Sequence, residues 1–407
     1  MVAVPASEKD DLRRVLDDDG APLPGARPPS IPDAALARMF EVMTLTRVLD
    51  DKMARLWRQR RIGFWAGSLG EEACHMAAAP LRATDWAFPS YREHGAWLWR
   101  GYSVQQFVDQ LFGNHDDPSK GRQLPVHHSA RWLNLVSVSA PVGTQIPQAV
   151  GAAYAARMQG KDDVTMAMFG EGATSTGEFH VGMNFAAVWK APCVLVCRNN
   201  GWATSVPSAA QTAARTFAAK ALGYGMPGIR VDGGDAIAVW QAASEAIDRA
   251  RRGDGPTLIE VLIRSAGPAS VAAPGGDRDA DAESDAPAPP AAISEAAPGP
   301  APVPGIRTGD RRDPRIRLRN YLRHLGLSNE ASELELAERC HRQVDDAIAA
   351  AERKRAPAVD SLFDDVYEQP PWHLREQRAG LLAQPRAANP HSTPNPGPGP
   401  GPGPVQR

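Results

Sequence analysis

Three short, nearly unbroken apolar runs constrain this chain more than any other feature: residues 164–169, 194–197 and 258–262. Runs of this length, without the alternation of a half-buried strand, read as strands covered on both faces. Helical periodicity fills the stretches between them from Leu69 to Ile263. Alternation of strand and helix argues for a parallel sheet joined by right-handed crossovers. The expected fold is α/β, a mostly parallel central sheet flanked by helices.

The flanks divide the chain further. Residues 1–30 are polar and Pro-rich and read as an extended arm; residues 31–265 form the main α/β domain. A long amphipathic helix is expected over 33–61, where Leu36, Met39, Phe40, Met43, Leu49, Met53 and Leu56 recur at spacings of three and four. Thr46 is the polar exception on that stripe. Residues 266–310 form an insert, and its 271–305 stretch has almost no large apolar residue to offset ordering entropy, so disorder is expected. Helices are expected again at 315–325 and 330–355, within a C-terminal part (311–385) of the same domain. The Pro/Gly-rich residues 386–407 read as a solvated tail.

The formal net charge is -2, with both signs mixed along the chain, which gives no reason to expect nucleic acid as a partner. No apolar run reaches roughly 18 residues, so no membrane-spanning helix is expected. The N-terminal stretch is acidic and lacks the apolar core of a secretory signal. Cys74, Cys193, Cys197 and Cys340 lie in apolar contexts without metal-ligand spacing and read as reduced and buried. A cytoplasmic location follows as the expectation.

The chemistry concentrates between Phe169 and Trp202. One apolar strand ends in Gly170-Glu171-Gly172. A helix follows, with Ser175 or Thr176 as N-cap and Glu178 in its first turn. The next strand ends in Arg198-Asn199-Asn200-Gly201. Successive parallel strands bring both clusters to the same carboxyl edge, where open α/β sheets bind ligands. A carboxylate (Glu171), an amide oxygen (Asn200) and a backbone carbonyl suit a hard cation such as magnesium, with phosphate oxygens completing its shell. The glycines allow close backbone approach, and Arg198 adds a permanent positive charge for phosphate. The same residues also suit ordinary turns at a helix start and a strand end.

G-E-G, a helix and strand, then N-N resembles the fingerprint of thiamine diphosphate-dependent enzymes. The stretches RRIGFWAGSLGEEACHMA, FPSYREHGAWLWRG, SKGRQLPVHHS, SAPVGTQIPQAVGAAYAA and LFDDVYEQPPWHLREQ resemble, in the same order, the alpha subunit of the branched-chain 2-oxoacid dehydrogenase decarboxylase. The likeness covers roughly residues 10–265 and 310–385, and KGRQLPVHHS favours the branched-chain type. It implies that Tyr91, Arg92, Val142, Gly170, Gly172, Ala173 and Arg198 bind thiamine diphosphate. Arg92 and Arg198 would meet the diphosphate, and Val142 the aminopyrimidine. It implies Mg²⁺ ligands Glu171, Asn200 and the carbonyl of Trp202, where the family usually has Tyr. Ser139, Pro141, Thr144 and Gln145 resemble a K⁺-binding turn, in which Ala140 replaces a common Ser. The implied activity is oxidative decarboxylation of a 2-oxoacid, with transfer of the acyl fragment to a lipoyl group on the acyltransferase component. The implied assembly is a two-alpha, two-beta tetramer whose beta subunit supplies the glutamate that activates the cofactor.

The likeness breaks after the third apolar run. Relatives carry a catalytic histidine in a loop reading approximately Y-R-x-G-[HP]-H. Here the chain reads VLIRSAGPASVAAPGG; Gly267 and Pro268 match, Arg264 and Ser265 replace the Tyr-Arg pair, and Ala269 occupies the histidine position. Alanine moves no proton, and losing such a group typically costs about 10²–10⁴-fold in rate. Three readings stay open at this level. The subunit uses His127 or His128 instead; it is a slow or altered-specificity enzyme; or it is a non-catalytic scaffold that still binds cofactor and the beta subunit.

Overall fold

The computed structural model describes residues 12–263 and 313–383. The 266–310 insert, Ala269 within it, and the 386–407 tail lie outside these residues. The described residues form two compact units that divide between Arg355 and Ala356.

In the first unit the strands are β1 (Leu12–Arg13), β2 (Trp86–Phe88), β3 (Thr165–Gly170), β4 (Cys193–Asn199), β5 (Trp202–Ala203), β6 (Val206–Pro207), β7 (Gly228–Asp232) and β8 (Thr257–Leu262). The helices are α1 (Asp33–Arg58), α2 (Glu72–His75), α3 (His94–Trp99), α4 (Val104–Phe112), α5 (Gln145–Met158), α6 (Gly177–Val188), α7 (Ser208–Gln211), α8 (Ala236–Arg251), α9 (Pro314–His324) and α10 (Glu330–Arg353). The second unit holds a 3₁₀ turn, Val359–Phe363, and α11 (Trp372–Ala383), joined by an Arg378–Asp360 ion pair of 3.0 Å.

Among the described residues six strands make one all-parallel sheet in the order β1-β7-β8-β4-β3-β2, while β5 and β6 form a separate antiparallel pair. The three apolar runs are therefore the adjacent inner strands β3, β4 and β8. Every residue of β4 is buried, as a strand covered on both faces requires. The pairing Gly170↔Arg198 brings the carboxyl ends of β3 and β4 level. One apolar core, which includes Met39, Met43, Leu49 and Met53 of α1, covers one face of the sheet, and a second, with Phe169, Phe179 and Met183, covers the other. All four cysteines are buried and unbridged. Among the described residues no helix is long and apolar enough to cross a membrane.

α1 ends at Arg58, short of the expected 61, because Arg60 turns to φ 59° and the chain leaves the helix there. Two buried ion-pair groups tie the C-terminal helices to this body. Arg47 of α1 bridges Glu72 of α2 and, at 2.9 Å, Asp313, the N-cap of α9. Arg317 of α9 meets Asp232 of β7 at 2.9 Å. Fully buried charges are tolerable only when paired in this way, and removing one partner typically costs about 3–5 kcal/mol.

Candidate cofactor and metal site

A cavity of about 120 Å³ opens at the carboxyl ends of β3 and β4. Gly170 to Ala173 form one wall, where β3 passes into a 3₁₀ turn. Arg198, Asn200 and Trp202 follow β4. Tyr91 and Arg92 enter from the loop after β2; Ser139, Pro141, Val142 and Gln145 come from the turn that starts α5. Thr144 does not line the cavity; its hydroxyl donates to the carbonyl of Pro141 at 3.0 Å and so closes that turn. Gly143 sits at φ 89°, and a Cβ there would lie 2.5 Å from the Thr176 hydroxyl. Thr176 is the N-cap of α6, accepting from the Phe179 N–H, so turn and helix start are fitted to each other.

Glu171 is 2% exposed, and its Oε1 has no hydrogen-bond partner among the described residues. Burial pushes its carboxyl up to about 7, although Arg198 and backbone N–H groups pull the other way. An unpartnered buried carboxylate oxygen facing a cavity is costly unless a cation or proton joins it. Asn200 lies beside it and accepts from the Trp202 N–H at 3.1 Å through Oδ1. A cation fits this oxygen-rich donor set.

Arg198 is more encumbered than sequence reasoning foresaw. Its Nε lies 3.0 Å from Glu71 and its Nη1 contacts Glu93, both carboxylates being buried. Burial opposes the guanidinium charge, but Glu71 and Glu93 more than offset this and raise its pKa. Glu93 also accepts from the Ser90 N–H at 2.7 Å and so braces the Tyr91-Arg92 loop. Arg92 donates to the Gly67 carbonyl, and its guanidinium lies 5.5 Å from the Tyr91 ring centre. Sequence reasoning missed Glu71 and Glu93. The only trace of them is that each is an acid inside a quoted motif, GEEA and YREHG, and a motif does not say which cation an acid will find.

His127 and His128 do not line the cavity. The His128 ring packs 4.0 Å from Phe107, with Trp97 and Tyr102 around it, and burial drives its pKa well down. His127 shares its Nδ1 with the Pro125 carbonyl at 2.9 Å; its Nε2 is buried without a partner among the described residues.

Residues 40–270 match the family model of the dehydrogenase E1 component. The chain is 36% identical to 2-oxoisovalerate dehydrogenase subunit alpha 2, mitochondrial, of Arabidopsis thaliana, over 94% of its own length and 76% of that protein. It is 37% identical to 2-oxoisovalerate dehydrogenase subunit alpha, mitochondrial, of Mus musculus, over 91% of this chain and 79% of the relative. For the Dictyostelium discoideum alpha subunit the identity is 35%, over 90% and 79%. The chain belongs to the dehydrogenase E1 component family and so to the 2-oxoacid dehydrogenases. These relatives bear out the branched-chain alpha-subunit type that the motifs resemble. One expectation is overturned: the relatives are named as mitochondrial proteins, against the cytoplasmic location inferred above. Buried, unbridged cysteines do not by themselves distinguish one compartment from another.

Proposed function

We propose that this chain is the thiamine diphosphate-binding alpha subunit of a branched-chain 2-oxoacid dehydrogenase. It would work in a two-alpha, two-beta tetramer and deliver acyl groups to a lipoyl-bearing acyltransferase. The observation that carries this reading is the buried, unpartnered Glu171 oxygen at the cavity beside Asn200. Bound thiamine diphosphate supplies the electron sink for loss of carbon dioxide. Glu171, Asn200 and the Trp202 carbonyl hold Mg²⁺ against the diphosphate. Arg92 and Arg198 balance diphosphate charge; Arg198, already paired, also fixes the ends of two carboxylates. Gly170 and Gly172 admit the phosphates, with Ala173 beside them. Tyr91 contacts the cofactor from the same wall, and a backbone group of Val142 meets its aminopyrimidine. Ser139, Pro141, Thr144 and Gln145 form a compact turn suited to K⁺, in which the Gln145 amide N–H is already bonded to the Met168 carbonyl at 3.1 Å. The small cavity accords with half a site, the rest coming from the beta subunit.

Calorimetry on the chain assembled with its beta subunit tests this directly. Thiamine diphosphate should bind only with Mg²⁺, and Glu171→Ala should abolish binding. A variant that binds as tightly as the parent overturns the metal assignment.

A further inference from the structure

Asn200 can serve a cation only through its amide oxygen, because its nitrogen carries two protons and no usable lone pair. Nothing within the side chain decides which way the amide faces. Two neighbours do: the Trp202 N–H, on the oxygen side, and Glu71, 5% exposed, on the nitrogen side, where its Oε1 accepts from Asn200 Nδ2 at 3.2 Å while its Oε2 lies 3.0 Å from Arg198 Nε. With Oε2 on the Arg198 guanidinium and Oε1 an acceptor, the NH₂ end of the amide is the end that faces Glu71. Oδ1 is thereby turned the other way, where it takes one hydrogen bond, from the Trp202 N–H at 3.1 Å, and keeps a second lone pair.

Glu71 is itself well anchored. Its N–H donates to the Ser68 carbonyl at 2.8 Å, and Ser68 is bonded through both N–H and hydroxyl to the buried carboxylate of Asp50 at 2.8 and 3.0 Å. The next residue, Glu72, is fixed by Arg47. A carboxylate held this way imposes its preference on the flexible amide, not the reverse.

We propose that Glu71 is a positioning residue for the cation site: it sets the Asn200 amide so that oxygen, not nitrogen, faces the metal. This rests on the reading that Glu171 and Asn200 hold Mg²⁺. Partners of metal ligands typically change metal affinity about 10–100-fold when removed. The competing role, charge balance for Arg198 alone, would leave the amide's direction unaffected.

The two roles separate in a double-mutant cycle. The assembled alpha–beta protein, with saturating thiamine diphosphate, is titrated with Mg²⁺ and followed by tryptophan fluorescence or calorimetry. Glu71→Ala is expected to raise the half-saturating Mg²⁺ at least about ten-fold. Asn200→Asp presents an oxygen whichever way it turns, so in that background Glu71→Ala should cost less than about two-fold. An unchanged Mg²⁺ requirement in Glu71→Ala, or an equal loss in both backgrounds, overturns the proposal. Should Glu71→Ala fail to assemble, Glu71→Gln is read in the same way, because its amide no longer enforces one orientation. Glu171→Ala is the control for the underlying reading: if it too leaves the Mg²⁺ requirement intact, the cation site itself is misassigned. If Glu171→Ala abolishes binding while Glu71→Ala does nothing, only the positioning role fails.

Discussion

His75 and His94 show what burial does to a single ring. The His94 ring stacks on Trp65 at 4.5 Å and gives its Nε2 proton to the Ala66 carbonyl at 2.7 Å; His75 accepts from the Gly95 N–H at 3.2 Å. Burial, first of all, pulls both pKa values down to about 3. A lowered folded-state pKa means that each ring binds a proton mainly on unfolding. Its contribution to stability is complete above about 6.5 and is lost progressively as pH falls toward 3. Over that window each ring steepens the loss by about 1.4 kcal/mol per pH unit. Urea unfolding at pH 6 and pH 5 should therefore show a shallower loss for His94→Gln than for the parent, by about that slope; equal slopes would rule the neutral ring out. At this scale the sequence was legible where a residue type has one use in one place. Glu171 and Asn200, polar residues at the ends of apolar strands, pointed to the cavity edge. Glu71 and Glu93 did not, because the Arg198 they pair with is more than a hundred residues away.

Elements were legible wherever the burial pattern is regular. β3, β4 and β8 fall within two residues of the apolar runs, and α9 and α10 end one and two residues before the expected limits. β1 and β2, two and three residues long, carry too few positions for any period and gave no sign of themselves. Helix packing was equally hidden. Gly182 of α6 approaches α5 so closely that a Cβ there would lie 2.7 Å from Ile146 Cγ2 and 3.3 Å from the Pro147 nitrogen. The first turn of α5 continues directly from the 139–144 turn of the cavity wall, so forcing these helices apart disturbs the site. Gly182→Val is expected to cost about 1–3 kcal/mol by overpacking and to weaken cofactor binding. Gly182→Ala should cost less, since a helix-propensity gain of about 1 kcal/mol opposes the clash. Thermal melting and cofactor titration of both variants check this ordering; a neutral Gly182→Val would show that the helices can separate freely.

At the scale of the whole assembly, the question is which half-reaction this chain can support. The sequence resemblance aligns Ala269 with the family's catalytic histidine, and among the described residues no histidine side chain lines the cavity. His128 is caged by aromatic rings and held neutral, so it is a poor proton donor to anything outside that cage. Decarboxylation depends chiefly on the cofactor as electron sink and should survive. Acyl transfer to the lipoyl group needs a proton delivered to a departing sulfur, and on the proposed alignment Ala269 cannot give it. We therefore expect the assembled enzyme to reduce an artificial electron acceptor with a branched 2-oxoacid at a rate within about ten-fold of histidine-bearing relatives. Transfer to a lipoyl domain should fall by about 10²–10⁴-fold, the usual cost of a lost acid–base group. Single-turnover kinetics with the two acceptors separates these steps. If both proceed at the relatives' rates, another group delivers the proton, and His127, whose Nε2 is unpartnered among the described residues, becomes the first residue to replace. If both are equally slow, the defect lies before acyl transfer, in cofactor activation or substrate binding, and the loss at Ala269 does not explain it.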